Sequence, residues 1–210
     1  MDISTAAGPA RAEVDVAAGS RTEPELLLVL THGAGGGVAS KDLLAASRGG
    51  LAAGAVVVRV LQPYRVRGAA APGSPGRQDA AWLEIIAVLR EQHPGLPLVQ
   101  GGRSNGARVA CRTAQAAGAA AVLALAFPLH PPGKAGDPDR SRAGELRSAG
   151  VPVLVINGER DPFGIPDETD AGALIVLPGE THALSGRPDA IAAATSSWLR
   201  EVLSRAGQRG

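Results

Sequence analysis

The segment Gly102-Arg103-Ser104-Asn105-Gly106 has the residue types and spacing of a nucleophile elbow. A serine hydroxyl is a poor nucleophile at neutral pH. It becomes reactive when a sharp strand-to-helix turn lifts it toward a base and aims backbone N–H groups at the reacting carbonyl. Flanking glycines suit such a turn, because the serine backbone is strained and the helix packs against neighbouring strands with no room for side chains. The apolar run Leu96-Pro97-Leu98-Val99-Gln100 precedes the segment and a helical stretch starts near Asn105, so both arms of the turn are present. Glycine is abundant in this chain, and the elbow pattern therefore needs partners before it carries weight.

Those partners are an acid and then a histidine, in that order after the serine. The run Val151-Pro152-Val153-Leu154-Val155-Ile156 leads into Asn157-Gly158-Glu159-Arg160-Asp161-Pro162, which puts a carboxylate just beyond a strand end. Pro162 fixes a turn that projects Asp161, so Asp161 is preferred to Glu159 as the acid. The run Ala173-Leu174-Ile175-Val176-Leu177 is followed by Pro178-Gly179-Glu180-Thr181-His182, which delivers an imidazole to the same edge. In a set formed by Ser104, Asp161 and His182, the histidine takes the serine proton and returns it to the leaving group. The aspartate holds the tautomer and stabilises the imidazolium.

An oxyanion hole requires the backbone N–H of Asn105, the residue after the nucleophile, and a second N–H from the loop after the first core strand. That loop is Thr31-His32-Gly33-Ala34-Gly35-Gly36-Gly37, with Ala34 the preferred donor and Gly35 the next. Gly35, His32 and His130 are expected at the substrate site, His32 bracing the oxyanion loop and His130 as a rim residue or a packed polar group. Cys111, on the helix that follows Ser104, reads as a buried, inert thiol, and His93 as exposed at a helix end. Arg103 and Arg108 flank the elbow. Arginines on a helix rim are commonly solvated or ion-paired, and no substrate charge is read from them.

To bring these residues together the chain needs parallel strands ending on one edge. Short apolar runs at Leu26–Leu30, Val56–Leu61, Leu96–Val99, Val122–Phe127, Val151–Ile156 and Leu174–Leu177 read as about six strands buried on both faces. Between them lie helical stripes, clearest in Trp82, Ile85, Ile86 and Leu89 and in Ile191, Thr195, Trp198, Leu199 and Val202. This alternation implies an α/β fold, a doubly wound and mostly parallel sheet flanked by helices. Gln62–Arg77 and Pro128–Gly150 lack periodicity and read as loops at the crevice rim, each too short for a cap domain. Residues 1–24, with only a weak alternation through Val14 and Val16, read as an N-terminal tail or one edge strand, and residues 25–206 as the domain proper.

The 210 residues suit one domain. Aromatic residues are only 2% of the chain, so Val, Leu and Ile must build the core. A net charge of +1 argues against a nucleic acid or membrane surface held by bulk electrostatics. A single cysteine excludes an intrachain disulfide, no apolar stretch suffices for a membrane span, and the opening residues lack a signal-peptide pattern. A cytoplasmic protein, monomer or homodimer, is expected.

Taken together, Thr31-His32-Gly33-Ala34-Gly35, Gly101-Gly102-Arg103-Ser104-Asn105-Gly106-Ala107-Arg108, Phe127-Pro128-Leu129-His130-Pro131-Pro132-Gly133-Lys134 and Gly158-Glu159-Arg160-Asp161-Pro162-Phe163-Gly164 resemble the α/β-hydrolase superfamily. The resemblance runs from about residue 25 to 203. It is narrowest with the small capless branch of dienelactone-hydrolase-like proteins and the testis-expressed and histone-acetyltransferase-complex-subunit relatives. The family elbow often has Met and Gly where this chain has Asn105 and Ala107. Dienelactone hydrolase itself uses a cysteine where this chain has Ser104, so lactone chemistry is not implied. The resemblance implies a sheet in which the first core strand lies between the second and third.

These readings converge on a serine hydrolase that cleaves an ester or thioester of a small soluble substrate through an acyl-serine intermediate, with no metal or organic cofactor. A peptidase variant of the same chemistry and a non-catalytic interaction module on the same shell are the alternatives. Because members of this branch include assembly proteins, fold does not settle function. A nucleotide binder is disfavoured: Gly35-Gly36-Gly37-Val38-Ala39-Ser40-Lys41-Asp42 lacks the Gly before Lys and the Ser or Thr after it that a phosphate loop requires, and Val38 replaces the last Gly of a dinucleotide fingerprint.

Overall fold

Successive side chains of a strand point to opposite faces, and in this chain both faces are apolar, so the central strands demand cover on both sides. The computed structural model describes residues 1–16 and 23–207. In chain order the first elements are β1 (Asp2–Ile3), β2 (Ala10–Asp15), β3 (Leu26–Thr31), α1 (Lys41–Ala52), β4 (Ala55–Leu61), α2 (Pro63–Val66) and α3 (Pro75–Gln92). Then come β5 (Leu98–Arg103), α4 (Asn105–Thr113), β6 (Ala121–Leu125), a 3-10 turn (Pro138–Arg140), α5 (Ala143–Arg147), β7 (Val153–Gly158), α6 (Glu168–Ala171), β8 (Gly172–Leu177) and α7 (Pro188–Gly207).

The eight strands form one sheet in the order β1-β2-β4-β3-β5-β6-β7-β8. Strands β3 to β8 are mutually parallel, while β2 runs antiparallel to β4 and β1 to β2. Leu27 and Val29 of β3 join one core with Trp82, Ile85 and Leu89 of α3 and Val109 and Ala110 of α4. Leu26, Leu28 and Leu30, one residue out of phase, join a second core with Leu43 of α1 and Ile191 and Leu199 of α7. The sheet is therefore the middle of three layers.

Several sequence expectations change at the margins. The sheet has eight strands rather than about six, because two form before Leu26. The face of β2 that carries Ala10, Ala12 and Val14 is buried at the two alanines but 45% exposed at Val14, and Val16, just past the strand, is 68% exposed, so the core ends before the valines. Arg59 of β4 ties β2 down through a forked pair to Asp15, Nε to Oδ2 at 2.6 Å and Nη2 to Oδ1 at 3.0 Å. That contact holds the Asp15 carboxyl below its ordinary range. Burial on both faces is true of β3 to β7 but not of β8, which is largely half-exposed at the sheet edge. The aperiodic segment 62–77 contains α2 and the start of α3, whose Pro75 occupies a first-turn position where its missing N–H costs nothing.

Strand β3 lies between β4 and β5, so the winding reverses there. Thr31 at the end of β3 is paired with Gly102 at the end of β5, which sets the Gly-rich loop beside the elbow at the switch point.

Candidate active site

Ser104 sits between β5 and α4 with φ 52° and ψ −115°. This left-handed backbone region is sparsely populated for a non-glycine residue and costs of order 1–3 kcal/mol, so it persists only where the surroundings enforce it. Part of that enforcement is the Ser104 N–H, which donates to the Leu125 carbonyl of β6 at 2.8 Å. The glycines enforce the rest. A Cβ at Gly102 would lie 2.5 Å from the Thr31 carbonyl oxygen, and one at Gly106 would lie 2.7 Å from that oxygen and 2.8 Å from that of His32.

His182 arrives in the loop between β8 and α7. Its Nε2 lies 2.9 Å from Ser104 Oγ and its Nδ1 lies 2.8 Å from Asp161 Oδ2. An ionised carboxylate only accepts, so Nδ1 carries the proton and Nε2 is free to accept from the serine hydroxyl. The Asp161 side chain is fully buried. Its Oδ1 accepts from the Phe163 N–H at 2.9 Å, the bond that closes the turn at Pro162. Asn157, fully buried near the end of β7, locks this turn to the segment just past β6. Its side chain accepts from the Phe127 N–H at 2.8 Å and donates to the Phe127 and Gly164 carbonyls at 3.2 and 3.3 Å. The Phe163 ring meets the imidazole edge-on, with centroids 4.4 Å apart. Glu159, the other candidate acid, turns to the surface and accepts from the Gly179 N–H at 2.8 Å.

The Gly-rich loop is braced from below. His32 is fully buried, with Nδ1 2.8 Å from the Gly33 carbonyl and Nε2 accepting from the Gln62 N–H at 3.0 Å. Burial holds its imidazole below the ordinary value of 6.5, in the neutral form that these two bonds require. Helix α2 supplies further ties, with Tyr64 Oη donating to the Ala34 carbonyl at 3.0 Å and Arg65 Nε to the Gly36 carbonyl at 2.9 Å. Burial pushes the Tyr64 phenol up to about 12. A Cβ at Gly33 would lie 3.3 Å from Ser104 Cβ, so the loop passes directly over the elbow. Among the described residues, no acceptor is found for the N–H of Ala34 or of Asn105.

The structure thus brings Ser104, Asp161 and His182 into one hydrogen-bonded line beside the Ala34 loop; of the two histidines expected at the substrate site, His32 lies beneath that loop as its brace and His130 is the packed polar group rather than a rim residue. His32 is enclosed, with both ring nitrogens engaged by the main chain. His130 is only 7% exposed because the Phe163–Gly164 turn closes over it, and its N–H donates to the Phe163 carbonyl at 2.9 Å. Gly35 is exposed at the crest of its loop, where a Cβ would meet nothing within 4 Å. Cys111 is fully buried, and desolvation raises its thiol far above the ordinary range. The supporting roles of Tyr64, Arg65 and Asn157 did not emerge from the sequence. The one available signal was that Tyr64 is the sole tyrosine in an aromatic-poor chain.

Among the described residues, no three His, Cys, Asp or Glu side chains are grouped so as to hold a metal ion, and no helix is long and apolar enough to cross a membrane. A cavity of about 300 Å³ lies between α2 and the start of α3, lined by Gln62, Pro63, Tyr64, Arg67, Arg77 and Gln78 among others.

Similarity to known proteins follows the same lines. No curated protein matches the sequence. The fold is similar to that of a lidless α/β serine hydrolase from Xanthomonas campestris, at 20% identity and a TM-score of 0.76 over 96% of this chain and 93% of that one. It is also similar to Est1E from Butyrivibrio proteoclasticus, at 15% identity and a TM-score of 0.77 over 97% and 98% of the two chains. An esterase domain from Rhodothermus marinus matches at 14% identity and a TM-score of 0.70 over 96% and 97%. Residues 24–183 match the family described as alpha/beta hydrolase domain, and the chain therefore belongs to that family.

Proposed function

We propose that the protein is a serine hydrolase that cleaves an ester or thioester of a small soluble substrate through an acyl-Ser104 intermediate. The observation that carries this reading is the continuous line from Asp161 Oδ2 through His182 to Ser104 Oγ, with contacts of 2.8 and 2.9 Å. His182 Nε2 accepts the hydroxyl proton as Oγ adds to the substrate carbonyl, and Asp161 stabilises the imidazolium that forms. The oxyanion is received by the N–H groups of Asn105 and Ala34, each such donor being worth about 10²- to 10³-fold in turnover. Collapse of the tetrahedral intermediate expels the alcohol or thiol, which takes the proton from His182. Water activated by the same imidazole then releases the acid and restores Ser104.

The serine hydrolase and esterase among the similar folds accord with this chemistry. In this reading the chain falls in the capless, dienelactone-hydrolase-like or testis-expressed branch, with a serine nucleophile. A panel of p-nitrophenyl esters and acyl thioesters of graded chain length tests it. The expected result is turnover of at least one member by the wild type and only background with Ser104→Ala. Equal rates for the two proteins across the panel contradict it.

A further inference from the structure

Arg103, the residue before the nucleophile, reaches two places that the elbow itself does not touch. Its Nε donates to Asp42 Oδ2 at 2.7 Å and its Nη2 donates to the main-chain carbonyl of His182 at 2.7 Å. Asp42 lies in the first turn of α1 with its side chain fully buried, and its other oxygen accepts from the Leu43 N–H at 2.9 Å. The guanidinium also lies against the Gly-rich loop, since a Cβ at Gly33 would come within 3.1 Å of Nη1. One side chain therefore joins the strand that bears the nucleophile, the first turn of α1 and the backbone of the base.

His182 belongs to a loop, and the direction of its imidazole depends on where that loop's main chain is held. Among the described residues, Arg103 is the donor found for the His182 carbonyl. The planar guanidinium serves two acceptors at a fixed mutual angle, which a lysine ammonium does not. A lone positive charge here would oppose the imidazolium that forms during catalysis, and the buried Asp42 carboxylate neutralises it.

We propose that Arg103 is a positioning residue: neutralised by Asp42, it clips the His182 main chain to the strand end that carries Ser104 and so sets the distance between base and nucleophile. Its kinetic consequence rests on the hydrolase reading, whereas the clip itself does not. Arg108 provides an internal comparison. It makes a comparably short ion pair, here forked, with Glu145 at 2.8 and 2.6 Å, and is similarly buried, yet it joins α4 to α5 and makes no hydrogen bond to the His182 loop.

The test compares the double variant Arg103→Met/Asp42→Asn, which leaves no buried charge alone, with Arg103→Lys and Arg108→Met. The readouts are thermal unfolding, kcat and KM on p-nitrophenyl acetate, and the downfield proton NMR signal of the His182 Nδ1 proton bonded to Asp161. The double variant is expected to fold, to lose kcat by about 10- to 100-fold with KM little changed, and to show that proton broadened by exchange. Arg103→Lys recovers part of the loss, and Arg108→Met keeps wild-type kcat and a sharp signal. A folded double variant with wild-type kcat and a sharp proton overturns the proposal. Should the double variant not fold, Arg103→Lys decides: reduced kcat at an unchanged melting temperature supports the clip, and full kcat overturns it. If the wild type turns over no ester, the hydrolase reading falls, and the NMR signal alone still judges the clip.

Discussion

Gly106 lies so close to Thr31 that a methyl group on its Cα would stand 2.7 Å from the Thr31 carbonyl oxygen. Both partners are backbone, one at the start of α4 and one at the end of β3, which launches the Gly-rich loop, so neither can rotate away. Gly106→Ala is expected to cost about 1–3 kcal/mol in urea unfolding, the range for overpacking a rigid interior. It also separates the elbow from the Gly-rich loop and slows reaction at Ser104. Gly35→Ala, whose added Cβ meets open space, stays within about 0.5 kcal/mol of wild type.

His32 makes stability depend on pH in a defined direction. Its imidazole is held below 6.5 in the folded protein, so below 6.5 the unfolded chain binds a proton that the folded protein refuses. The stabilisation from the neutral ring is fully present above that value and is lost as pH falls from it toward the folded value. The urea midpoint of the wild type should therefore fall more between about pH 7 and pH 5 than that of His32→Asn, which lacks this proton linkage. Equal slopes for the two proteins count against a neutral, buried His32.

Tyr64→Phe removes the donor that holds the Ala34 carbonyl and leaves the ring in place. The expected outcome is a loss of about 0.5–1.5 kcal/mol in stability. Turnover falls by about tenfold or less, below the 10²- to 10³-fold that deletion of an oxyanion donor costs. Steady-state kinetics on the preferred ester would show this loss in kcat, with KM little changed.

The acid has two candidates two residues apart, and only Asp161 touches the imidazole. Asp161→Asn is expected to lower kcat by about 10³- to 10⁴-fold, because the amide no longer holds the histidine in the tautomer that accepts from serine. Glu159→Gln, altering a surface contact to the Gly179 N–H, leaves kcat within about twofold of wild type. A larger loss from the glutamate change would reverse the assignment.

The strands and the spacing of Ser104, Asp161 and His182 were legible because each depends on local signals. Apolar runs mark buried strands; Ser104 directly follows β5, and Asp161 and His182 come in the short loops that leave the ends of β7 and β8. Support of the site was not legible, because it is made across long sequence separations. Asp42 meets Arg103 from 61 residues away, and Tyr64 meets the Ala34 carbonyl from 30 residues away. Helix α2 is one short turn in a Gly-, Pro- and Arg-rich segment, too brief to show a period. Strand β2 buries alanines, which carry little strand signal, while Val14, next on the same face, is already exposed at the strand's end.

The most direct measurement of the central claim is labelling by a fluorophosphonate, with the modified residue located by mass spectrometry. A hydroxyl 2.9 Å from an imidazole that is itself oriented by a buried carboxylate predicts rapid, stoichiometric labelling at Ser104, with none in Ser104→Ala and very little in His182→Ala. A folded wild-type protein that stays unlabelled, or that reacts equally well without the His182 imidazole, contradicts the account.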